Sequence, residues 1–167
     1  EIGCILGPSG CGKTSLLRAI AGFESISSGS ILKDGVCITN SVENTPVANR
    51  NMGMVFQDYA LFPNMDVKSN IAFGLKNSTE LEKDNRVNYL LDLVNLVDCK
   101  NKYPHELSGG EQQRIALVRA LAPSPDIILM DEPFSNIDQD IKEELVSDVR
   151  LLLKELAITS IIVTHDQ

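Results

Sequence analysis

The run Ile2-Gly3-Cys4-Ile5-Leu6 leads directly into Gly7-Pro8-Ser9-Gly10-Cys11-Gly12-Lys13-Thr14-Ser15, and an apolar-periodic segment then continues to Ala21 and closes at Gly22. A short apolar run, a Gly-rich turn and helical periodicity, in that order, read as strand, loop and helix. Gly7 to Thr14 fits G-x-x-x-x-G-K-S/T. Each residue type in that pattern has a physical task. The glycines let backbone N–H groups turn inward around phosphate oxygens with no Cβ in the way. The start of the following helix adds a favourable dipole for an anion. Lys13 is placed to reach the β- and γ-phosphates, and the Thr14 hydroxyl to ligate Mg²⁺. The expected nucleotide-binding set is Gly7, Pro8, Ser9, Gly10, Cys11, Gly12, Lys13, Thr14 and Ser15.

Outward from this loop, the pattern is one of buried strands and amphipathic helices. Ser30–Leu32 and Val36–Ile38 flank Asp34-Gly35, a hairpin signal. Met52–Phe56 is a further apolar run. Asp66–Leu75, Asp84–Leu96 and Ser108–Leu121 have helical spacing, with Pro63, Pro104 and Pro123 at the breaks. Ile127–Met130 reads as a buried strand. Gln139–Leu156 is a helix with Ile141, Leu145, Val149, Leu152 and Leu156 on one face, and Ser160–Thr164 is the last strand. Continuous apolar strands alternating with helices predict an α/β fold with a mostly parallel sheet covered on both faces. A small antiparallel β segment and a helical insertion complete it. The expected division is a core with its β segment over 1–57, a helical subdomain over 58–122, and the core continued over 123–167. Both ends read as cut within a single domain, because neither carries a polar tail.

The chain has 167 residues, a net charge of −8 and no clustered Lys or Arg, so nucleic acid is not the expected partner. No apolar stretch reaches the ~18–20 residues that span a bilayer, and no signal peptide opens the chain. A link to a membrane would run through a partner. The four cysteines, Cys4, Cys11, Cys37 and Cys99, are scattered, which fits reduced thiols better than a metal site or disulfides. GTP-binding proteins of this loop class read guanine with N-K-x-D. Here Asn101-Lys102 runs on into Tyr103-Pro104, so that reading loses support.

Two later segments narrow the class. Leu107-Ser108-Gly109-Gly110-Glu111-Gln112-Gln113-Arg114 opens a helix with a hydroxyl and glycine amides suited to phosphate. The other reading is an ordinary helix cap, Ser108 with Glu111 three residues on, which leaves the flanking residues unexplained. Ile127-Ile128-Leu129-Met130-Asp131-Glu132-Pro133 puts two carboxylates at the end of a buried strand, where Asp131 can help hold Mg²⁺ and Glu132 can polarise a water. The first segment resembles the L-S-G-G-Q signature of ABC transporter ATP-binding domains, with Glu111 in place of Gln, and the second resembles their Walker B strand. Gln57 matches the family's Q-loop glutamine, which senses Mg²⁺ and the attacking water. Ser135-Asn136-Ile137-Asp138 resembles the D-loop, although Asp138 could also cap the following helix. His165, one of two histidines, matches the switch histidine; His105 reads as structural.

The resemblance covers nearly the whole chain. It implies a RecA-like P-loop NTPase core with the helical ABC insertion, and an ATPase using ATP and Mg²⁺. Glu132, His165 and Gln57 would be catalytic, and Thr14, Gln57 and Asp131 would hold the metal. Two such domains would dock head to tail, with Ser108, Gly109, Gly110 and Glu111 acting in trans. The family's adenine-stacking aromatic lies upstream of the phosphate loop and is not in this chain. Val55-Phe56-Gln57-Asp58-Tyr59-Ala60-Leu61-Phe62-Pro63 resembles the stretch of bacterial importers that meets the permease. Exposed Tyr59, Leu61 and Phe62 would form that docking site, unless they pack the helical subdomain instead. This implies an energising subunit at the cytoplasmic face of the bacterial inner membrane, with permease subunits and a substrate-binding protein as partners. Met52–Pro63, with Ala120-Leu121-Ala122-Pro123 and Pro133-Phe134-Ser135-Asn136, is most like the iron(III) importers. Polyamine, sulfate and sugar importers share much of it, and a soluble ABC ATPase acting on nucleic acid or ribosomes is the alternative class. Importers of this group often carry a C-terminal regulatory domain, which would lie beyond this chain.

Overall fold

The chain runs β1 (Ile2–Leu6), α1 (Lys13–Ala21), β2 (Ser30–Lys33), β3 (Val36–Asn40), β4 (Met52–Val55), α2 (Val67–Ala72), α3 (Glu80–Leu93), α4 (Gly109–Leu121), β5 (Ile127–Asp131), α5 (Gln139–Glu155) and β6 (Thr159–Thr164). The computed structural model describes residues 1–135, 137 and 139–165, with only the backbone described for 139–141. Asp138, the expected D-loop aspartate, lies outside the described residues.

β1, β6, β5 and β4 form one parallel sheet in that order. The period-two alternation of a strand sorts the side chains of β5 between two layers. Ile128 and Met130 join the large core built with α2, α3, α4 and α5. Leu129 turns the other way and meets Leu17 and Ala21 of α1 and Val163 of β6. Asp131 has the parity of Leu129, so the strand delivers its carboxylate to the α1 side. α5 buries Leu145, Val149 and Leu152, as its spacing predicts. The helices α2, α3 and α4 are inserted between β4 and β5. α4 lies close on β4 because Gly53 has no Cβ: one built there would sit 2.7 Å from the Ala120 carbonyl oxygen. The α/β fold with its parallel sheet, small antiparallel segment and helical insertion is therefore as expected.

β2 and β3 pair antiparallel around Asp34 and Gly35, whose positive φ values of 51° and 79° suit a tight hairpin. Two helices differ in their bounds from those read by periodicity. α3 begins at Glu80 rather than Asp84, because Thr79 and Glu82 form a reciprocal capping box one turn earlier. α2 spans only Val67–Ala72, capped by Asp66. Among the described residues, no helix is long and apolar enough to cross a membrane.

Candidate nucleotide site

The phosphate loop leaves β1 and enters α1 through Gly12, which caps the helix in the left-handed region at φ 96°. A side chain there would be strained. The helices α2, α3 and α4 are each capped by a side chain, from Asp66, Thr79 and Ser108. α1 has no side-chain cap and no acidic residue in its first turn. Its leading amides and dipole are left for a ligand to satisfy. Lys13 is buried, and its ammonium donates to the carbonyls of Gly7 at 2.7 Å and Pro8 at 2.9 Å. Cys11 Sγ lies 3.9 Å from the same nitrogen. The two carbonyls carry no formal charge, so they leave the ammonium's charge available to an anion.

Asp131, 4% exposed, accepts a hydrogen bond from the Thr14 hydroxyl at 2.9 Å across 117 positions of sequence. Thr14, Asp131, Phe56, Gln57, Asp58, Ala60 and Arg18 line one open cleft of about 510 Å³. Gln57, just beyond the end of β4, is exposed there. The cleft thus brings together three of the expected site residues. A hydroxyl, a carboxylate and an amide are hard donors of the kind Mg²⁺ takes when phosphates and water complete its shell.

Glu132 follows at the C-terminal end of β5. Its backbone N–H donates to Val163 O at 2.9 Å, continuing the β5–β6 ladder one step past Asp131. Its φ of 44° is left-handed, an uncommon and costly state for a non-glycine residue that clusters at functional sites. The turn is held by Ser135, whose N–H and hydroxyl both donate to Glu132 O. Because β6 ends beside β5, His165 falls next to this turn, and its Nδ1 lies 3.1 Å from Glu132 Oε2. The carboxylate is 16% exposed and the imidazole 41%.

Ser108, Gly110 and Glu111 line a different cleft, with Arg114, Glu144 and Leu145. The structure does not bring them to the Thr14–Asp131 cleft. Ser108 and Glu111 form a full capping box. The Ser108 N–H and hydroxyl donate to Glu111 Oε2, both at 2.7 Å, while Ser108 Oγ accepts from the Glu111 N–H. These two donors, the backbone N–H foremost, hold the Glu111 carboxyl below its ordinary range.

Tyr59 departs from expectation. It is 6% exposed and packs in the main core, and burial raises its phenol pKa. Leu61 also packs against that core. Tyr59 does not present an exposed docking group, because left-handed backbone at Tyr59 and Ala60 turns its ring inward. Phe62 is half-buried against Phe73, with ring centroids 4.5 Å apart. Three polar residues that sequence reasoning passed over also shape the region. Arg119 donates to the carbonyls of Tyr59 and Ala60. Asn70, fully buried, bonds to Phe62, Met65 and Asp66. Arg50, 1% exposed, donates to the carbonyls of Ala19 and Ile20 near the end of α1. For Arg119 the available signal was a cation set within an apolar run, Ile115-Ala116-Leu117-Val118-Arg119-Ala120-Leu121; Arg50 and Asn70 have polar neighbours and carried no such signal.

An uncapped helix behind a glycine loop, with a buried lysine and a strand-end carboxylate beside it, defines a phosphate-loop α/β domain. The ABC transporter family pattern matches residues 1–135, and the chain belongs to that family. It is 48% identical, over its full length, to the Fe(3+) ions import ATP-binding protein FbpC 2 of Rhizobium meliloti, covering 42% of that protein. It is 51% identical to the sulfate/thiosulfate import ATP-binding protein CysA of Acinetobacter baylyi, covering 48% of it. It is 48% identical to the spermidine/putrescine import ATP-binding protein PotA of Thermotoga maritima, covering 45% of it. The chain thus spans about half the length of these relatives. Among solved structures it is similar to cbiO1 of Clostridium perfringens, part of the ABC transporter complex cbiONQ. The TM-score is 0.86 and the identity 32%, over 99% of this chain and 67% of that one.

Proposed function

We propose that this chain is the ATP-binding and ATP-hydrolysing part of the subunit that energises solute import by an ABC transporter. The observation that carries the reading is the cluster at the C-terminal end of the sheet: Lys13 under the phosphate loop, Thr14 bonded to Asp131, and Glu132 paired with His165. Gly7 to Ser15 would wrap the triphosphate, with Lys13 on its β- and γ-phosphates. Thr14, Asp131 and Gln57 would hold Mg²⁺, which when bound neutralises charge on the phosphate oxygens. The Glu132 carboxylate would orient the attacking water and take its proton as the bond from phosphorus to the ADP oxygen breaks. His165 would hold that carboxylate in place and face the γ-phosphate.

Ser108, Gly110 and Glu111 line a cleft apart from this cluster, which supports the use of Ser108, Gly109, Gly110 and Glu111 in trans across a head-to-tail dimer. Residues 58–122 would act as the helical subdomain between core segments 1–57 and 123–167. Docking to the permease would use Phe62 and its surroundings, with Leu61 behind it. Tyr59 would serve by setting the shape of that surface. A permease and a substrate-binding protein would be the partners, at the cytoplasmic face of a bacterial inner membrane. Iron(III) is our proposed cargo, from the Met52–Pro63 stretch and the iron(III) import relative. Sulfate and polyamines are the competing cargoes, named for relatives 51% and 48% identical to this chain.

Glu132→Gln in the full-length subunit tests the chemistry. It should keep ATP affinity, lose hydrolysis by about 10²–10⁴-fold, and accumulate an ATP-bound dimer. Turnover at the wild-type rate would refute the role of Glu132. Purification with a permease and titration of the associated binding protein with iron(III), sulfate and spermidine would decide the cargo.

A further inference from the structure

We infer that Arg119 is a positioning residue that ties the segment following Gln57 to the far end of the helix that begins at Ser108. Arg119 lies in the last turn of α4. Its guanidinium forks across two successive carbonyls, donating from Nη1 to Ala60 O at 2.6 Å and from Nη2 to Tyr59 O at 2.9 Å. The same group sits over the Phe62 ring, 5.3 Å from its centroid. Only a planar fork can bond two carbonyls and stack at once.

The backbone it grips is unusual. Tyr59 and Ala60 are consecutive non-glycine residues at φ 61° and 47°, a conformation that persists only where the surroundings impose it. The Tyr59 ring is anchored in the core, and Asn70 of α2 holds the next turn through Phe62, Met65 and Asp66. Residues 59–66 are therefore fastened to the inserted helices. Gln57, in contrast, lies two residues past the end of β4, with Asp58 alone between it and the gripped carbonyls. Burial lowers the Arg119 pKa and Asp58 opposes that shift, which places the Asp58 charge near the clamp.

The clamp and the signature share a rigid element. α4 has 13 residues. At 1.5 Å per residue that is a rod of about 20 Å, with Ser108 capping one end and Arg119 at the other. Movement of the Ser108 end reaches Gln57 through Arg119 and two peptide units. This rests on the proposed role of Gln57 in holding Mg²⁺ and names the residue that sets its position.

The test uses the full-length subunit carrying Arg119→Lys, with Arg86→Lys as the control. Arg86 donates to the carbonyls of Leu121 and Ala122 and to Ser124, so it secures the same helix end without gripping residues 59 and 60. ATP hydrolysis and hydrogen exchange over residues 56–62 are measured together. Arg119→Lys should lower kcat about 10–100-fold, leave KM for ATP within about twofold, and speed exchange at Tyr59–Phe62. Arg86→Lys should leave kcat unchanged. An Arg119→Lys enzyme with wild-type kcat and exchange would overturn the inference, as would an equal loss of kcat in Arg86→Lys. Phe62→Leu, which removes the stacking and keeps both hydrogen bonds, is the milder second variant should Arg119→Lys not fold. It should speed the same exchange, and unchanged exchange counts against the clamp. Gln57→Ala is run in parallel. If it hydrolyses at full rate, the reading of Gln57 fails. If it is slow while Arg119→Lys is normal, the Arg119 inference alone fails.

Discussion

Replacing Glu132 by glycine and by alanine should reverse the usual order of their stabilities. Glu132 sits at φ 44°. For a residue with a Cβ, left-handed backbone costs about 1–2 kcal/mol. Alanine keeps that cost and glycine removes it. Glycine has the more flexible unfolded chain, which offsets about 0.4–1 kcal/mol of the gain. Both substitutions lose the contact between Glu132 Oε2 and His165 Nδ1, a part-exposed pair worth about 0–1 kcal/mol, so that contact cancels in the comparison. The mid-values leave Glu132→Gly more stable than Glu132→Ala by about 0.8 kcal/mol, whereas at an ordinary site alanine leads. Urea denaturation of the two full-length variants measures this directly.

The functional half of the experiment is ATP hydrolysis by the same two proteins. If Glu132 is the base, both should lose about 10²–10⁴-fold in turnover, whichever is the more stable. The reasoning about strain is refuted if alanine is as stable as glycine or more so. The reasoning about chemistry is refuted if either variant turns over at the wild-type rate. The two outcomes are independent, because one depends on the Cβ and the other on the carboxylate.

Gly53→Ala should destabilise the subunit by about 1–3 kcal/mol in urea denaturation, since its Cβ would lie 2.7 Å from the Ala120 carbonyl and push α4 away from β4. Tyr59→Phe should raise the melting temperature, because the buried Tyr59 hydroxyl has no hydrogen-bond partner among the described residues and its desolvation costs about 1–3 kcal/mol. Glu111→Ala should cost stability at neutral pH and progressively less in acid. The Ser108 donors hold the Glu111 carboxyl below its ordinary value, so its contribution is complete above the unfolded pKa of about 4.3 and is lost as pH falls through the lower folded value. Denaturation of wild type and variant at several pH values between about 7 and 3 checks the sign.

The legibility of this chain followed the range over which each signal acts. The phosphate loop was readable because its requirements are local. Gly12 must tolerate φ 96° and Lys13 must open a helix, and both needs are met within one turn of chain. The β5 pattern was nearly as plain. Four apolar residues and then Asp131 state both the burial of a strand and the edge at which it ends, and parity sends the carboxylate to α1. The pairing of Glu132 with His165 was expected only as membership of one site. Its cause is the β5–β6 register, in which Asp131 lies beside Val163, and no single segment carries that information.

Tyr59 shows where local reading stops. In sequence, Tyr59, Leu61 and Phe62 form an apolar run after a strand, and periodicity cannot separate a run that docks a partner from one that fills the core. The inward turn of Tyr59 requires left-handed backbone at two residues, neither of them glycine. Propensity opposes that conformation. It is held instead by Arg119, 60 positions away along the chain. A strained turn therefore cannot be read where it occurs, since the energy that holds it comes from another element. The legible trace is at the other end of the contact: a guanidinium in the apolar run of a buried helix, which must find acceptors somewhere, and here finds them in the segment beside Gln57.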